Sequence, residues 1–439
     1  MKIVQRKSLL STISAGVLVS TFSSGAMGQS LRDYDLRIKD LENEIKEIKE
    51  YRGDLSRDQE SEPKKYVRAG QSPRSFIVPG TETELAFHGL IQLNVAVGEN
   101  GSGLPSQSLF APTLANTPSG DVEGKDTATE FSVRRSRFWV TSSTPAGGAD
   151  LKTHIEIDFA GGTGSESFTN NHDLRLRRAF ADYKNWRVGQ DYSTFLDFAS
   201  LGELLNYGSH GNAIFIRQPQ IRYTSPFDWG AVMLSAENSY ENDVITVSGN
   251  VTDTDQDDQT VPDLVARLDY NVGKVHTSTK VMARQLKLDT VNQGDDSAWA
   301  GALSLTTRFP VFSDSVGLQY NYGALGRYMG LGVHPDAFVA DGQIEGFDSW
   351  GASAVYTHRW GGKWKWRSTL AYAYTKADED LDDFGPEIID SSSSAHVNLV
   401  WSPMKNSSLG VELGRYSVKT RSGEEPNVFR INANAKYAF

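Results

Sequence analysis

Arginine is concentrated in one stretch of the sequence, between residues 134 and 222. The arginines in this stretch are Arg134, Arg135, Arg137, Arg175, Arg177, Arg178, Arg187, Arg217 and Arg222. A guanidinium group stays charged at any physiological pH and binds a carboxylate or a phosphate through two parallel hydrogen bonds. The chemistry that such a cluster offers is the attraction and passage of small anions.

Alternation along the chain places some of these arginines on one face of a strand. In an extended strand, every second side chain points to the same side. Arg175 and Arg177 lie opposite Leu174, Leu176 and Phe180, so the pattern predicts arginines facing an interior and apolar residues facing lipid. The same reasoning gives the candidate pore-lining and substrate-binding residues Arg135, Arg137, Arg175, Arg177, Arg187, Arg222 and Arg267.

Two features of the sequence are also compatible with a less selective pore, which is the alternative hypothesis. Each arginine can be paired with an interior acid such as Glu156, Asp158 or Asp191, and then it only sets the field across the pore. The formal net charge is −11, and it becomes −14 when a leader with three cations and no acids is removed. That balance motivates a general, weakly selective or cation-passing pore. A structural or adhesin barrel is the third hypothesis.

The sequence contains no catalytic signature. It has no cysteine, which excludes thiol catalysis, disulfides and cysteine-based zinc sites. It also lacks the G-x-S-x-G, H-E-x-x-H and P-loop motifs. We therefore predict no enzyme activity and no cofactor. The acidic charge balance argues against nucleic acid as a partner.

Acidic residues gather in two of the long connections between strands. Asp253, Asp255 and Asp257 are spaced as at the start of a calcium loop, whereas Asp258 stands where that loop needs glycine and Leu264 where it needs glutamate. We therefore predict no specific metal site there. A solvated surface that binds divalent ions loosely beside lipopolysaccharide fits these loops better.

Sixteen runs of about ten residues alternate between apolar and polar side chains. They span 84–97, 130–142, 149–159, 173–184, 186–194, 214–224, 229–238, 262–271, 274–286, 297–309, 315–324, 346–359, 363–375, 393–402, 407–417 and 427–439. Connections after odd-numbered runs are long, and those after even-numbered runs are short. This regularity is typical of an up-and-down antiparallel barrel with loops on one side of a membrane and tight turns on the other.

The expected fold is therefore an all-β transmembrane barrel of the porin type over residues 76–439, because sixteen strands leave a water-filled channel. No run of roughly 18 apolar residues appears, so no transmembrane helix is expected. The connection 195–213 after the fifth strand is rich in Phe and Leu and too apolar for a loop in water. We expect it to fold into the barrel mouth and narrow the pore.

The two ends of the chain carry export and assembly signals. Residues 1–28 have a basic start, an apolar run and small residues at 26–28, which predicts a cleaved secretory signal peptide. The last strand ends in Tyr437 and Phe439, an aromatic pattern that the outer-membrane barrel assembly machinery is generally held to read. We therefore expect the protein in the outer membrane of a Gram-negative bacterium, in contact with its lipid and lipopolysaccharide.

Residues 29–52 predict a coiled-coil helix, and a polar linker follows at 53–75. The trimerisation core is spaced at alternating steps of three and four residues, as Leu31, Tyr34, Ile38, Leu41, Ile45 and Ile48. Isoleucine at both kinds of core position favours a trimer. An even strand count places both barrel ends on the short-turn side, so the helix is expected in the periplasm. A single amphipathic helix packed on a domain is the alternative.

Several segments resemble the DcaP-like outer-membrane porins. They are Val78–Thr83 (VPGTET), Arg175–Phe180 (RLRRAF), Asn185–Gln190 (NWRVGQ), Ser193–Phe195 (STF), Arg217–Thr224 (RQPQIRYT), Tyr322–Gly323 and Gly326–Tyr328 (GRY). The resemblance spans the coiled coil and most of the barrel. It implies a homotrimer of 16-stranded barrels with a periplasmic N-terminal coiled coil that takes up small anions such as dicarboxylates.

Overall fold

The structure is a computed structural model that describes a defined set of residues. These are 37, 39–50, 67–99, 127–162, 164–165, 169–206, 210–241, 244–247, 259–290, 294–330, 332–361 and 365–439. The predicted signal peptide and the aspartates 253–258 lie outside them. Within these ranges, no helix is both long and apolar enough to cross a membrane.

The chain divides into two units, residues 1–67 with 79–81 and residues 68–78 with 82–439. In the first unit, residues 39–50 are helical. Leu41, Ile45 and Ile48 are exposed on this helix, at spacings of four and three residues that place them on one side. The other predicted core residues, Leu31, Tyr34 and Ile38, lie outside the described residues, so the coiled coil stays a prediction.

The second unit contains sixteen long strands. We number them β1 (Glu84–Glu99), β2 (Thr127–Ser132 and Arg137–Ala146), β3 (Ala149–Asp158), β4 (Arg175–Tyr183), β5 (Trp186–Tyr192), β6 (Arg217–Phe227), β7 (Gly230–Glu237), β8 (Asp263–Val272), β9 (Val275–Thr290), β10 (Gly294–Val311), β11 (Asp314–Gly323), β12 (Ser349–Arg359), β13 (Trp366–Ala377), β14 (Ile389–Trp401), β15 (Ser407–Thr420) and β16 (Asn427–Ala438). Each strand pairs antiparallel with the next, and β16 pairs with β1 through Asn434 and Asn94. The sheet is therefore a closed barrel, and the predicted fold is confirmed.

The two-residue alternation of side chains divides the barrel wall into an outer and an inner face. On β15, Leu409, Val411 and Leu413 are exposed on the outside, while Ser408 and Glu412 are buried on the inside. A membrane barrel shows this pattern because lipid contacts the outer face and only the inner face can place polar groups away from lipid. The face assignment predicted from alternation holds on this strand.

The C-terminal residue closes the barrel seam. Phe439 donates its backbone N–H to the carbonyl of Gly89 (2.9 Å) and accepts the N–H of Gly89 in return (3.0 Å). A Cβ on Gly89 would lie only 2.2 Å from the Phe439 ring, so the absence of a side chain lets the ring pack against the β1 backbone. Phe439 thus joins the last strand to the first.

Shorter strands extend and cover the barrel. Arg68–Ala69 and Ser75–Ile77 form a hairpin that continues the edge of β1, with Ser75 opposite Ala86. In the long connections, Val244–Thr246, Ala337–Ala340 and Gln343–Gly346 form a small sheet. Gly164–Ser165 pairs with Asn171–His172.

The connection between β5 and β6 folds into the barrel, as its apolar residues predict. We refer to residues 193–216 as the inner loop. Phe195, Leu196 and Ile214 of this loop are buried in one cluster with Tyr328 and Met329 from the connection after β11. Burial of these apolar side chains away from water stabilises the loop inside the channel.

Candidate functional site

The inner loop runs along one side of the barrel interior. Its Ser200 hydroxyl donates to Gln319 on β11 (3.2 Å). The carbonyl of Glu203 accepts from the Asn398 side chain on β14 (2.7 Å), and the Gly211 N–H donates to Ser394 on the same strand (2.9 Å). The loop therefore lies against the strands from β11 to β14.

The barrel wall behind the inner loop is largely uncharged. We define the covered wall as the inner face of β12, β13 and β14. Its buried polar residues carry mainly hydroxyl and amide groups and include Ser349, Ser353, Thr369, Thr375, Ser392, Ser394 and Asn398. His396 is also buried there, and Arg367 of β13 forms an ion pair with Glu203 of the loop. Hydroxyl and amide groups can form hydrogen bonds with backbone N–H and C=O groups of the loop, and they do so without burying a charge.

The opposite side of the interior is dominated by arginines and acids. We define the open wall as the ion-paired inner face of β2 to β6, formed by Arg137, Glu156, Asp158, Arg175, Arg177, Arg178, Asp182, Arg187, Asp191 and Arg222. The side chains of Arg137, Arg175, Arg178 and Arg187 are 22–31% exposed. A solute inside the barrel can therefore reach these guanidinium groups.

Glu156 and Asp158 on β3 hold the arginines of the two neighbouring strands. Glu156 accepts from Arg137 (3.2 Å) and from Arg177 (2.5 Å). Asp158 binds Arg175 through two hydrogen bonds (3.0 and 2.8 Å) and Arg177 through one (2.8 Å). Arg177 thus bridges both carboxylates and is itself only 1% exposed.

Asp191 on β5 binds the remaining arginines of the open wall. It accepts from Arg178 (2.6 Å) and Arg187, and Arg222 approaches it to 3.5 Å. Arg187 also pairs with Asp182 (2.6 Å). In the ion pairs of the open wall, six guanidinium groups therefore meet four carboxylates, which leaves an excess of two positive charges.

A β-bulge in β4 explains why the open wall has one more arginine than strict alternation predicts. Glu156 is opposite Arg178, whereas the next residue, Ile157, is opposite Leu176. The extra residue lets both Arg177 and Arg178 point inward. From β5, the Gln190 side chain donates to the carbonyls of the bulge, those of Leu176 (3.3 Å) and Arg177 (3.1 Å).

The bulge also reverses the predicted orientation of Phe180. Alternation placed this residue on the lipid face, and that prediction is wrong. Its ring stacks on His154 at 5.2 Å, and the Arg187 guanidinium lies 3.8 Å above it. Beyond the bulge the side-chain parity changes by one residue, so Phe180 faces the interior.

Two of the predicted arginines contact the inner loop. Arg135 lies in the break between the two parts of β2 and donates to the carbonyl of Leu205 (3.2 Å). Arg267 on β8 binds Asp269 through two hydrogen bonds (2.7 and 2.8 Å) and also donates to the carbonyl of Leu196. The structure therefore brings together five of the seven predicted arginines, with Arg178 in addition, and places Arg135 and Arg267 against the loop.

Carboxylates fix the inner loop near its start and at its middle. Burial alone would raise the pKa of Asp197, but hydrogen bonds from His276 (3.1 Å) and Thr306 (2.7 Å), together with nearby cations, hold it well below its usual range. At the middle of the loop, Glu412 on β15 accepts the backbone N–H groups of Leu205 (2.7 Å) and Asn206 (3.0 Å). The loop is thus held by ionised groups.

A second buried ionic cluster, absent from the sequence-based prediction, holds the connection after β11. Arg284 on β9 is 1% exposed and contacts Asp336 and Asp263. Tyr328 donates its hydroxyl to Asp263 (2.6 Å), and Arg327 approaches the same carboxylate to 3.4 Å. Alternation does not reveal this cluster because Asp336 comes from an irregular connection.

Metal ligands are not grouped in the part of the barrel that the structure describes. No set of three or more His, Asp or Glu side chains among the described residues has the arrangement of a metal site. The calcium-like spacing at Asp253, Asp255 and Asp257 lies outside the described residues, and the absence of a specific site there stays a prediction.

The family profile of the porin subfamily matches residues 54–382. Among solved structures, the outer membrane channel DcaP of Acinetobacter baumannii is 22% identical, with a TM-score of 0.71, and the match covers 85% of this chain and 100% of that chain. An anion-selective porin from Comamonas acidovorans is 12% identical, with a TM-score of 0.51 and coverage of 82% and 100%. No curated protein sequence matches significantly. The resemblance to the DcaP-like porins is confirmed at the level of the fold.

Proposed function

We propose that this chain, which belongs to the porin subfamily and forms an outer-membrane channel, favours small anions such as dicarboxylates over cations. The observation that carries the proposal is the open wall, where six guanidinium groups share four carboxylates. Charges inside a narrow, low-dielectric passage act strongly on a nearby ion, because the walls focus their field. An excess of two positive charges there attracts anions.

The spacing of the open wall suits a solute with more than one carboxylate. Arg137, Arg175 and Arg187 lie on three different strands, and all three are partly exposed. A guanidinium group that already binds one carboxylate keeps further N–H donors that can bind another. A passing dicarboxylate can therefore contact two arginines in turn without breaking the ion pairs that fix them.

A general, weakly selective pore is the second candidate. Its support is that the arginines of the open wall already have carboxylate partners, such as Glu156 and Asp191, and that the formal net charge of the chain is −11. In that case, the arginines only orient the field and the pore passes ions of either sign. A structural or adhesin barrel is the third candidate.

The proposed assembly is a homotrimer exported by a cleaved signal peptide. Exposed Leu41, Ile45 and Ile48 form an apolar stripe that a parallel partner helix would bury. Tyr437 and Phe439 are the proposed signal for the barrel assembly machinery. Deletion of residues 31–52 should reduce the trimer fraction in native mass spectrometry and leave the barrel folded. A stable monomer in mild detergent with this segment intact would contradict its role.

Uptake into liposomes tests the substrate preference directly. Vesicles that contain the purified full-length protein should swell faster in succinate than in a diamine of similar length, because only the anion is attracted by the open wall. A neutral sugar of similar size reports pore size alone. Equal rates for succinate and the diamine would support the general pore. No swelling in any solute, together with no stepwise conductance in a planar bilayer, would support a structural barrel.

A further inference from the structure

A basic cavity of about 380 Å³ lies at the short-turn end of the barrel. We define the basic cavity by the four cations of its lining, which are Lys365 from the turn before β13, Arg367 from β13, Lys405 from the turn between β14 and β15, and Lys436 from β16. Among the described residues, its lining contains no acid. The open wall lies on β2 to β6, so the basic cavity is a separate group of charges.

One carboxylate of the inner loop reaches two of these cations. Glu203 accepts two hydrogen bonds from Arg367, one of them at 2.8 Å, and lies 3.8 Å from Lys436. Lys365 and Lys405 are exposed and form no ion pair with any residue that the structure describes. Even when the C-terminal carboxylate of the chain is counted with Glu203, the basic cavity has an excess of two positive charges.

Neighbouring strands add no carboxylate to the basic cavity. On β13, Arg367 is opposite Arg359 of β12 and an apolar residue of β14. On β16, Lys436 is opposite Ser408 of β15 and Gln92 of β1. The residues directly across the sheet from these two cations are therefore neutral or positively charged.

Hydrogen bonds fix the two turns that carry Lys365 and Lys405. The carbonyl of Lys365 accepts the backbone N–H of Ser402 (3.3 Å), which joins one turn to the other. In the second turn, the Ser407 hydroxyl donates to the carbonyl of Met404 (3.1 Å). Because the backbone is already ordered, a ligand in the basic cavity binds at a lower entropic cost.

A buried hydroxyl in the lining lacks a hydrogen-bond partner. Ser408 is only 4% exposed, and its hydroxyl forms no hydrogen bond with any described residue. A buried polar group without a partner costs free energy. An anion in the basic cavity can accept this hydrogen bond, and so the orphaned hydroxyl is an observation independent of the charges.

We propose that the basic cavity binds the phosphate group of a small soluble anion, which is held by the ammonium groups of Lys365, Lys405 and Lys436 and by the Ser408 hydroxyl. An ammonium group is a compact charge with three N–H donors and binds phosphate as a point charge. A phosphate monoester carries a charge of about −1.5 to −2 at pH 7, which matches the excess in the basic cavity. The site goes beyond the proposed function because it does not depend on the selectivity of the open wall.

Competitive acetylation of lysines tests the site in the natural sequence. The full-length protein, in a detergent without phosphate groups, is treated with limiting acetic anhydride at rising concentrations of inorganic phosphate and constant ionic strength. Mass spectrometry measures the acetylation of each lysine. We expect phosphate to slow the reaction at Lys365, Lys405 and Lys436, because the bound anion covers these amines. Lys274, which is exposed in the short turn between β8 and β9, is the internal control and should react equally throughout.

Removal of the two unpaired cations should weaken the protection of Lys436. Lys365→Asn deletes one ammonium group and tolerates the positive φ of 49° at this position, and Lys405→Gln deletes the other. Together they should raise the half-protecting phosphate concentration about tenfold, because two charge-assisted contacts are lost. Ser408→Ala removes only the orphaned hydroxyl and should also raise it. The matched control Lys274→Gln should leave it unchanged.

Equal protection of Lys274 and of the lysines in the basic cavity would overturn the site. An unchanged half-protecting concentration in the double variant or in Ser408→Ala would also overturn it, since the anion would then sense a diffuse field and not these contacts. A comparable effect of Lys274→Gln would do the same. Protection in a channel that proves cation-selective would support the site and contradict the proposed function. An anion-selective channel without protection would contradict the site alone.

Discussion

The open wall and the covered wall belong to the same barrel and have the same strand geometry, but their inner faces carry different chemistry. The open wall places Arg175 beside Asp158 and leaves the guanidinium group 31% exposed. The covered wall places Thr369 and Ser394 behind the inner loop, where both are at most 2% exposed. The two walls differ because they face different surroundings. The open wall faces the channel, and the covered wall faces the folded inner loop.

The comparison shows that two parts of one barrel wall have different roles. The open wall faces the channel through which solutes pass, and the covered wall holds the inner loop. Hydroxyl and amide groups satisfy the backbone of the inner loop at low cost, since a neutral group loses less hydration than a charge when it is buried. Arg137, Arg175, Arg178 and Arg187 of the open wall, by contrast, remain where water and solutes can reach them. We therefore expect substitutions on the open wall to change ion selectivity and substitutions on the covered wall to change mainly the fit of the loop.

The largest effect is expected from Arg177→Ala on the open wall. This side chain bridges Glu156 and Asp158 and is almost fully buried. Its loss leaves two carboxylates with fewer partners, which should reduce the free energy of unfolding by about 3–5 kcal/mol and shift selectivity towards cations. Thermal unfolding in detergent and the reversal potential measure the two effects.

The control on the covered wall is Ser394→Ala, which removes one acceptor from the Gly211 N–H. It should cost only about 1 kcal/mol and leave the reversal potential unchanged. The contrast between the walls would be lost if Ser394→Ala altered selectivity as strongly as Arg177→Ala.

A smaller effect on stability is expected from Glu412→Ala, which releases the middle of the inner loop. Glu412 is buried and accepts the N–H groups of Leu205 and Asn206. The change should cost about 1–3 kcal/mol and change the single-channel conductance, because the loop segment around Leu205 is no longer held against β15. Glu424→Ala in an exposed connection is the matched control. An unchanged conductance would show that the loop does not narrow the pore.

The smallest effect is expected from acidification, through Asp197 of the inner loop. Its pKa is held below the ordinary value of 3.8. An acid whose pKa is lower in the folded state contributes stability above its ordinary pKa and loses that contribution as the pH falls towards the folded value. Current noise from the loop should therefore rise as the pH falls below about 4. Asp197→Asn should be noisy already at neutral pH, and an identical acid response in both proteins would contradict this role.

The sequence predicts the barrel well because the membrane imposes one rule on every strand. Alternation of apolar and polar residues, with long and short connections, is sufficient to place all sixteen strands. The apolar residues of the inner loop also predict its inward fold. Alternation predicts the wrong face of the strand for Phe180 and Arg178, because no residue type in the sequence indicates the bulge in β4. It also misses Arg284 and Asp336, since their contact depends on how an irregular connection folds back into the barrel.

The reversal potential in a salt gradient tests the central claim that charges of the open wall decide selectivity. The wild-type channel should prefer anions, and Arg137→Gln with Arg175→Gln should move the reversal potential towards cations. Neutralisation of the acids at 378–383 should move it little, because charges beyond a Debye length of about 8 Å are largely screened at physiological salt. A cation-selective wild-type channel, or a larger shift from the acidic loop than from the two arginines, would contradict the claim.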